Sequence, residues 1–132
     1  MFKKTITYTD YNGNERTEDF YFNLSKAELM EMEMSMPGGM KAMLERIISA
    51  QDTGKIIETF KKILLKAYGE KSEDGKRFIK SPELSKAFSE TEAYSIMFTE
   101  LAQDATKASE FVNGIVPSSL KPEQKTLNTN QN

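Results

Sequence analysis

The apolar residues near the start of the chain fall at every second position, and this alternation constrains the fold more than any other feature. A period of two is typical of a strand that buries one face. Between the two alternating stretches lies the pair Asn12-Gly13, which suits a tight turn with positive φ angles. The sequence therefore predicts a hairpin with strands at residues 2–9 and 16–23. The apolar positions are Phe2, Ile6, Tyr8, Phe20, Phe22 and Leu24.

Two strands alone are marginally stable in water, so helices must cover their apolar face or a partner must complete the sheet. The alternation of apolar residues ends before Ser25. Ser25 and Glu28 have the spacing of a capping box, which predicts the start of a helix at Ser25. We expect this helix to run to about Ser35. It should end before Pro37-Gly38-Gly39, because proline cannot continue the backbone ladder.

Two further helices are predicted from apolar residues at helical spacing. The second helix carries its apolar face on Met40, Met43, Leu44, Ile47 and Ile48. The third should begin near Asp52 as N-cap and end at Gly69. Its apolar stripe comprises Ile56, Ile57, Phe60, Ile63, Leu64, Ala67 and Tyr68.

Residues 70–80 are highly charged and predict an ordered excursion between helices, with a turn at Glu73-Asp74-Gly75 and an apolar anchor at Phe78-Ile79. A short helix should follow. Ser81 caps it, Pro82 occupies its first position, and its inward residues are Leu84 and Phe88.

Two helices are predicted toward the end of the chain. The first opens at a second capping box, Ser89 with Glu92, and its apolar face comprises Tyr94, Met97, Phe98, Leu101 and Ala102. The second runs from about Thr106 and ends before Gly114. Its inward residues are Ala108, Phe111 and Val112.

These elements predict an α+β fold, mainly α, in which an N-terminal β-hairpin packs on a bundle of about five to six short helices. We expect a single domain over residues 1–117, with the hairpin at residues 2–23 and the helices at residues 25–116. After Pro117 the only large apolar residues are Leu120 and Leu127. Residues 118–132 are therefore expected to form a disordered polar tail.

The composition excludes several classes of function. The chain has no cysteine and no histidine, so it lacks a thiolate nucleophile, a cysteine zinc site and the commonest general base. Its net charge of −2 supplies no general attraction to nucleic acid or to an anionic membrane. We expect no cofactor, no metal and no catalytic residue. The chain also starts without an apolar signal segment, so we expect it to stay in the cytoplasm.

Three local patterns suggest other functions and are better explained otherwise. Glu73-Asp74 beside Gly75 lacks the alternating ligands of a calcium loop. The sequon that starts at Asn23 coincides with the helix cap already assigned to Ser25. A stacking platform for single-stranded nucleic acid is opposed by neighbouring carboxylates. That platform would comprise Tyr8, Tyr11 and Tyr21 with Lys3, Lys4 and Arg16.

The most unusual feature is a run of methionines that starts in the first helix. Because four of them alternate with other residues at period two, they cannot all lie on one helical face, and some should be near the surface. Methionines of this kind fill irregular gaps in a core, or they form a deformable surface for apolar partners. On the second interpretation the contact residues would be Met30, Met32, Met34, Met36 and Met40.

Three segments resemble the tail assembly chaperones of long-tailed phages and prophages of Gram-positive bacteria. They are residues 5–29 (TITYTDYNGNERTEDFYFNLSKAEL), 67–81 (AYGEKSEDGKRFIKS) and 88–117 (FSETEAYSIMFTELAQDATKASEFVNGIVP). The resemblance spans about residues 3–117 and rests on overall pattern, since this family has no catalytic signature.

The resemblance implies a small, mostly helical factor without catalysis. Such a factor coats the tape measure protein in the host cytoplasm during tail tube assembly and is absent from the mature virion. Further partners that it implies are the tail tube protein and a longer, frameshifted form of the chain itself. A structural or adaptor protein of the phage tail is the leading alternative, and an unrecognised enzyme is the next.

Overall fold

Among the described residues, the elements of the fold follow the predicted order, and two short strands are added after the third predicted helix. The computed structural model describes residues 1–35, 38–39, 42, 45 and 53–117. Within them the fold is α+β and mainly α, as predicted, with five helices and a four-stranded antiparallel sheet. The elements are β1 (Phe2–Thr9), β2 (Glu15–Phe22), α1 (Lys26–Ser35), α2 (Thr53–Ala67), β3 (Tyr68–Lys71), β4 (Phe78–Ile79), α3 (Pro82–Ser89), α4 (Glu92–Gln103) and α5 (Ala105–Ile115).

The N-terminal hairpin forms as predicted, with its second strand shifted by one residue. β1 and β2 pair along their whole length, from Phe2 opposite Phe22 to Thr9 opposite Glu15. The turn is held by the carboxylate of Asp10, which accepts the N–H groups of Asn12 and Asn14 at 2.9 Å each. Gly13 has a φ of 85°, a conformation that most side chains disfavour.

The segment predicted as an excursion between helices instead extends the sheet as β3 and β4. Tyr68 and Gly69 pair with Phe22 and Tyr21 of β2, so Gly69 is a strand residue and the prediction that it stops a helix was wrong. A Cβ on Gly69 would lie 2.7 Å from the Phe78 ring and 2.8 Å from the Ile79 carbonyl oxygen. Glycine is therefore needed at this position because the two strands approach closely.

The buried residues of the sheet and the helices form one apolar cluster, and its centre is a set of aromatic rings. The Phe22 ring is fully buried, and its centroid lies 5.5–5.8 Å from the centroids of Tyr68, Phe88 and Phe111. Phe60 of α2 lies 5.8 Å from Phe111 between ring centroids. These rings join residues far apart in sequence, so sheet and helices depend on each other.

The structure corrects the start of α4. Ser89 is the last residue of α3, and its hydroxyl donates to the Lys86 carbonyl at 2.7 Å, so it does not cap the next helix. Thr91 is the N-cap and accepts the Tyr94 N–H at 3.1 Å. The resulting helical phase buries Ala93 and leaves Ala102 exposed, although Ala102 was predicted to face inward.

The boundaries of α5 also differ from the prediction. Asp104 caps the helix by accepting the N–H groups of Thr106 and Lys107 at 3.0 and 3.1 Å. The helix continues through Gly114, which therefore does not stop it. Gly114 packs directly against the Phe2 ring, and a Cβ there would lie 2.7 Å from that ring. The next residue, Ile115, is fully buried, and its carbonyl accepts the Leu24 N–H at 2.8 Å.

Several predictions lie outside the described residues. They are the apolar face of the second helix (Met40, Met43, Leu44, Ile47 and Ile48), the N-cap Asp52, and the polar tail at residues 118–132.

Removing residues 118–132 is expected to leave the thermal midpoint nearly unchanged. The segment has almost no apolar content with which to stabilise a core. The measurement is a comparison of melting curves for the full chain and the chain that ends at residue 117. A drop of many degrees would show that the segment contributes to the fold and that the boundary at residue 117 is wrong.

A candidate protein-interaction surface on the first helix

The start of α1 is held by the predicted capping box. The Ser25 N–H donates to the Glu28 carboxylate at 2.8 Å, and the Glu28 N–H donates to the Ser25 hydroxyl at 3.1 Å. Both bonds satisfy backbone donors that a helix start otherwise leaves unpaired. The direction in which α1 leaves the sheet is therefore fixed at its first turn.

Apolar side chains lie on two opposite sides of α1. Leu29 and Met32 are buried at 4% and 6% exposure and belong to the core cluster. Met30 and Met34, one turn apart, are 65% and 89% exposed on the outer side. Ala27 precedes Met30 by one turn and Met34 by two, and it is also exposed, so a short apolar stripe faces solvent.

The outer stripe of α1 contains two of the methionines that the sequence singled out. We call Ala27, Met30 and Met34 the outer methionine stripe. Met32 packs in the core and does not belong to it. Met36 and Met40 lie outside the described residues. Ala27 was not a candidate at the sequence level, although its spacing of three and seven residues from Met30 and Met34 could have indicated it.

A lysine from the second hairpin anchors α1 to the rest of the fold. The Lys80 ammonium donates to both carboxylate oxygens of Glu28 at 2.8 and 2.9 Å and to the Asn23 carbonyl at 2.6 Å. These groups are largely shielded, with side-chain exposures of 20% for Lys80 and 24% for Glu28. Nothing in the local sequence pattern around Lys80 indicates this role, because its partners lie more than 50 residues away.

Electrostatics at this anchor favour the ionised form of Glu28. Burial alone would raise the pKa of Glu28, but the hydrogen bonds from Lys80 and from the Ser25 N–H outweigh it and leave the pKa below its ordinary value. Burial lowers the pKa of Lys80, and the Glu28 carboxylate compensates only in part. Each charged group of this pair therefore offsets part of the cost of burying the other.

Lys80→Met is expected to destabilise the fold by about 1–3 kcal/mol at neutral pH, because the shielded Glu28 carboxylate and the Asn23 carbonyl both lose the ammonium that donates to them. Adding Glu28→Gln should recover most of the loss, since a neutral amide still closes the capping box. Urea denaturation of the single and double variants measures both effects. No recovery in the double variant would show that the aliphatic packing of Lys80 matters and its charge does not.

This effect should also depend on pH. Because the pKa of Glu28 is lowered in the fold, the pair contributes above the ordinary Glu28 value of 4.5, and the contribution is lost as pH falls through the lowered value. The difference in stability between wild type and Lys80→Met should therefore shrink in acid. A difference that stays constant down to acid pH would contradict the ionic role of Lys80.

The three tyrosines of the possible stacking platform do not lie together in the fold. Tyr8 lies on the inner side of the sheet and donates to Glu18 at 2.6 Å, Tyr21 lies on the outer side, and Tyr11 projects from the turn. Two of the three nearby cations are engaged by carboxylates. Arg16 bonds to Asp10 at 2.6 Å and to Glu18 at 3.2 Å, and Lys4 bonds to Glu100 at 2.8 Å.

Asp74 stabilises the second hairpin turn. Its carboxylate accepts the Ser72 hydroxyl at 2.7 Å and the Lys76 N–H at 3.0 Å, and these bonds lower its pKa. The described residues contain no group of three or more acidic side chains arranged to hold a metal ion. Across the same part of the chain, none of the helices has the length and apolar character needed to cross a membrane.

The described residues form a small α+β domain with a short apolar stripe exposed on an anchored helix. Comparison with known proteins identifies the family of the chain. A family model described as phage tail assembly chaperone matches residues 1–132, and the chain therefore belongs to the phage tail assembly chaperones. No curated protein and no solved structure matches the chain. Members of this family generally act without catalysis, and their partners are phage tail components.

Proposed function

We propose that this chain binds the tape measure protein of its phage and keeps it soluble while the tail tube assembles. The observation that carries the proposal is the exposure of Met30 and Met34 on the outer side of α1, in a chain that belongs to the tail assembly chaperones. Exposed thioether side chains bury apolar area on binding and adapt their shape to different segments of a client.

The position of the outer methionine stripe supports this role. The capping box and Lys80 hold α1 at its start, and Leu29 and Met32 fix its inner side in the core. A client helix would therefore meet a preformed surface, and only the methionine side chains would have to adjust. The carboxylate of Glu31, exposed next to the stripe, keeps this apolar surface compatible with water.

The proposed site of action of this protein is the host cytoplasm. The protein would work there and leave before the virion is complete, because a coat on the tape measure protein must give way to the tail tube. The tail tube protein is then a second partner at the moment of exchange. A longer frameshifted form of the chain, if the phage makes one, would present the same stripe.

Co-expression with the tape measure protein tests the proposal. Wild type is expected to raise the soluble fraction of the client and to co-purify with it. Purified virions should lack the chain. Failure of wild type to bind the client would contradict the proposal, and retention of the chain in purified tails would favour a structural or adaptor protein of the tail.

A further inference from the structure

The hydrogen-bonding pattern of the first hairpin leaves one side of β2 available for pairing. The Asp10 N–H donates to the Asn14 carbonyl at 2.9 Å, so even-numbered residues of β1 and β2 exchange bonds across the hairpin. Odd-numbered residues of β2 therefore direct their backbone groups away from β1 and toward β3. The Asn23 N–H, which donates to the Ala67 carbonyl at 2.8 Å on that side, follows this alternation.

β3 occupies only one end of this side of β2. The pairing between the two strands consists of Tyr21 with Gly69 and Phe22 with Tyr68. Beyond it β3 pairs with β4 through its last two residues. Among the described residues, the backbone groups of Thr17 and Asp19 therefore have no strand partner toward β3. Unpaired groups of this kind form a template for an added strand.

A cleft of 420 Å³ lies where β2 and β3 diverge. Three carboxylates and one ammonium line it, namely Glu18, Asp19, Glu70 and Lys71. The Lys71 ammonium lies over the Tyr21 ring, 4.4 Å from its centroid. The cleft therefore has an excess of negative charge beside an open strand edge.

The carboxylates of the cleft differ in how they are already engaged. Glu18 accepts the Tyr8 hydroxyl and a bond from Arg16 at 3.2 Å, and Asp19 accepts the Thr5 hydroxyl. Glu70 is exposed and has no ion pair within the described part of the chain. Tyr68 lies among these groups, and its pKa is raised by burial and then by the charges of Glu70 and Glu18. The local field therefore favours a cation.

We propose that this cleft receives an extended segment of a partner protein that carries lysine or arginine, and that the segment adds as a strand to β2 beside Thr17 and Asp19. Backbone pairing would supply affinity, and the carboxylates would select the cationic side chain. The free part of β2, residues 15–19, spans about 16 Å at the usual rise per residue. This site is separate from the outer methionine stripe and does not require that the partner be the tape measure protein.

Binding of synthetic peptides tests the site without any phage protein. The probe is a fluorescein-labelled peptide of about seven residues in which lysine and valine alternate, a length sufficient to cover the free edge. Three comparison peptides have glutamate in place of lysine, N-methyl groups on alternate backbone nitrogens, or a central proline. Fluorescence anisotropy should show binding of the lysine peptide and at least about tenfold weaker binding of the other three.

Variants of the full chain separate the cleft from general charge attraction. Glu18→Gln with Glu70→Gln should weaken the lysine peptide about tenfold, because two carboxylates of the cleft become neutral. Glu58→Gln with Glu110→Gln makes the same charge change at exposed positions outside the cleft and should leave binding unchanged. Melting curves confirm that both double variants fold, and amide hydrogen exchange at Thr17 and Asp19 should slow on binding.

Three results would overturn this proposal. Equal weakening in the two double variants would show attraction to net charge only. Equal binding of the N-methylated peptide would exclude strand addition. A stable dimer that the peptide neither dissociates nor binds would show that a second copy of the chain occupies the edge.

Discussion

Replacing Phe60 by alanine is expected to cost about 3–5 kcal/mol, a large part of the stability of a small domain. Phe60 is 3% exposed, and its ring lies 5.8 Å from Phe111 and 6.2 Å from Phe98 between centroids. Truncation would open a cavity where α2 meets α4 and α5, because the neighbouring aromatic rings are too rigid to fill it. Urea denaturation gives the free energy of unfolding directly.

A matched control lies one turn away on the same helix. Ile57 belongs to the same apolar stripe in the sequence, but it is 37% exposed in the fold. Ile57→Ala should therefore cost clearly less than Phe60→Ala, because a smaller apolar area is removed from the core and alanine has the higher helix propensity. Equal losses for the two variants would show that Ile57 is as buried as Phe60 and that the phase of α2 is wrong.

The double variant Met30→Gln/Met34→Gln is expected to weaken binding of the tape measure protein at least about tenfold, equivalent to about 1.4 kcal/mol. Complete burial of one methionine is worth about 1.5–3 kcal/mol, so partial burial of two is sufficient for this loss. Glutamine preserves helix propensity, and both positions are exposed, so the melting temperature should stay close to wild type. Co-purification of the client after co-expression measures the effect.

Two further variants make this test specific. Ile96→Gln removes an exposed apolar side chain, 43% exposed, from α4 and should leave client binding intact. Met30→Leu/Met34→Leu keeps the apolar area and should retain most of the binding. Full co-purification by the glutamine variant would exclude the outer methionine stripe as the contact surface while leaving membership of the chaperone family untouched.

Local patterns in the sequence were sufficient for those elements whose stabilising groups are close in sequence. The capping box at Ser25 and Glu28 formed as predicted, because its donors and acceptors lie three residues apart. The turn at Gly13 and the helix cap at Ser81 are local in the same sense. The period-two methionines also require that α1 present them on more than one side, and the exposure of Met30 and burial of Met32 agree with this geometry.

Contacts between distant segments decided the rest. Tyr68 continues an apolar helical pattern and Gly69 resembles a helix stop, yet both form a strand because β2 offers them backbone partners. Gly114 resembles a helix stop, yet α5 continues past it to Ile115, which is fully buried and accepts the Leu24 N–H. In both cases a long-range contact outweighed a local preference of about 1 kcal/mol or less.

The same distinction between local patterns and long-range contacts applies to the candidate sites. The sequence alone determined that α1 carries more methionine than one buried face can hold, because helical geometry separates residues two positions apart. Only the tertiary structure decided that Met32 belongs to the core and Met34 to the surface, since that depends on which side of α1 meets the core cluster. The anchor at Lys80 and the cleft between β2 and β3 likewise exist only in the folded chain, because their groups come from segments about 50 residues apart.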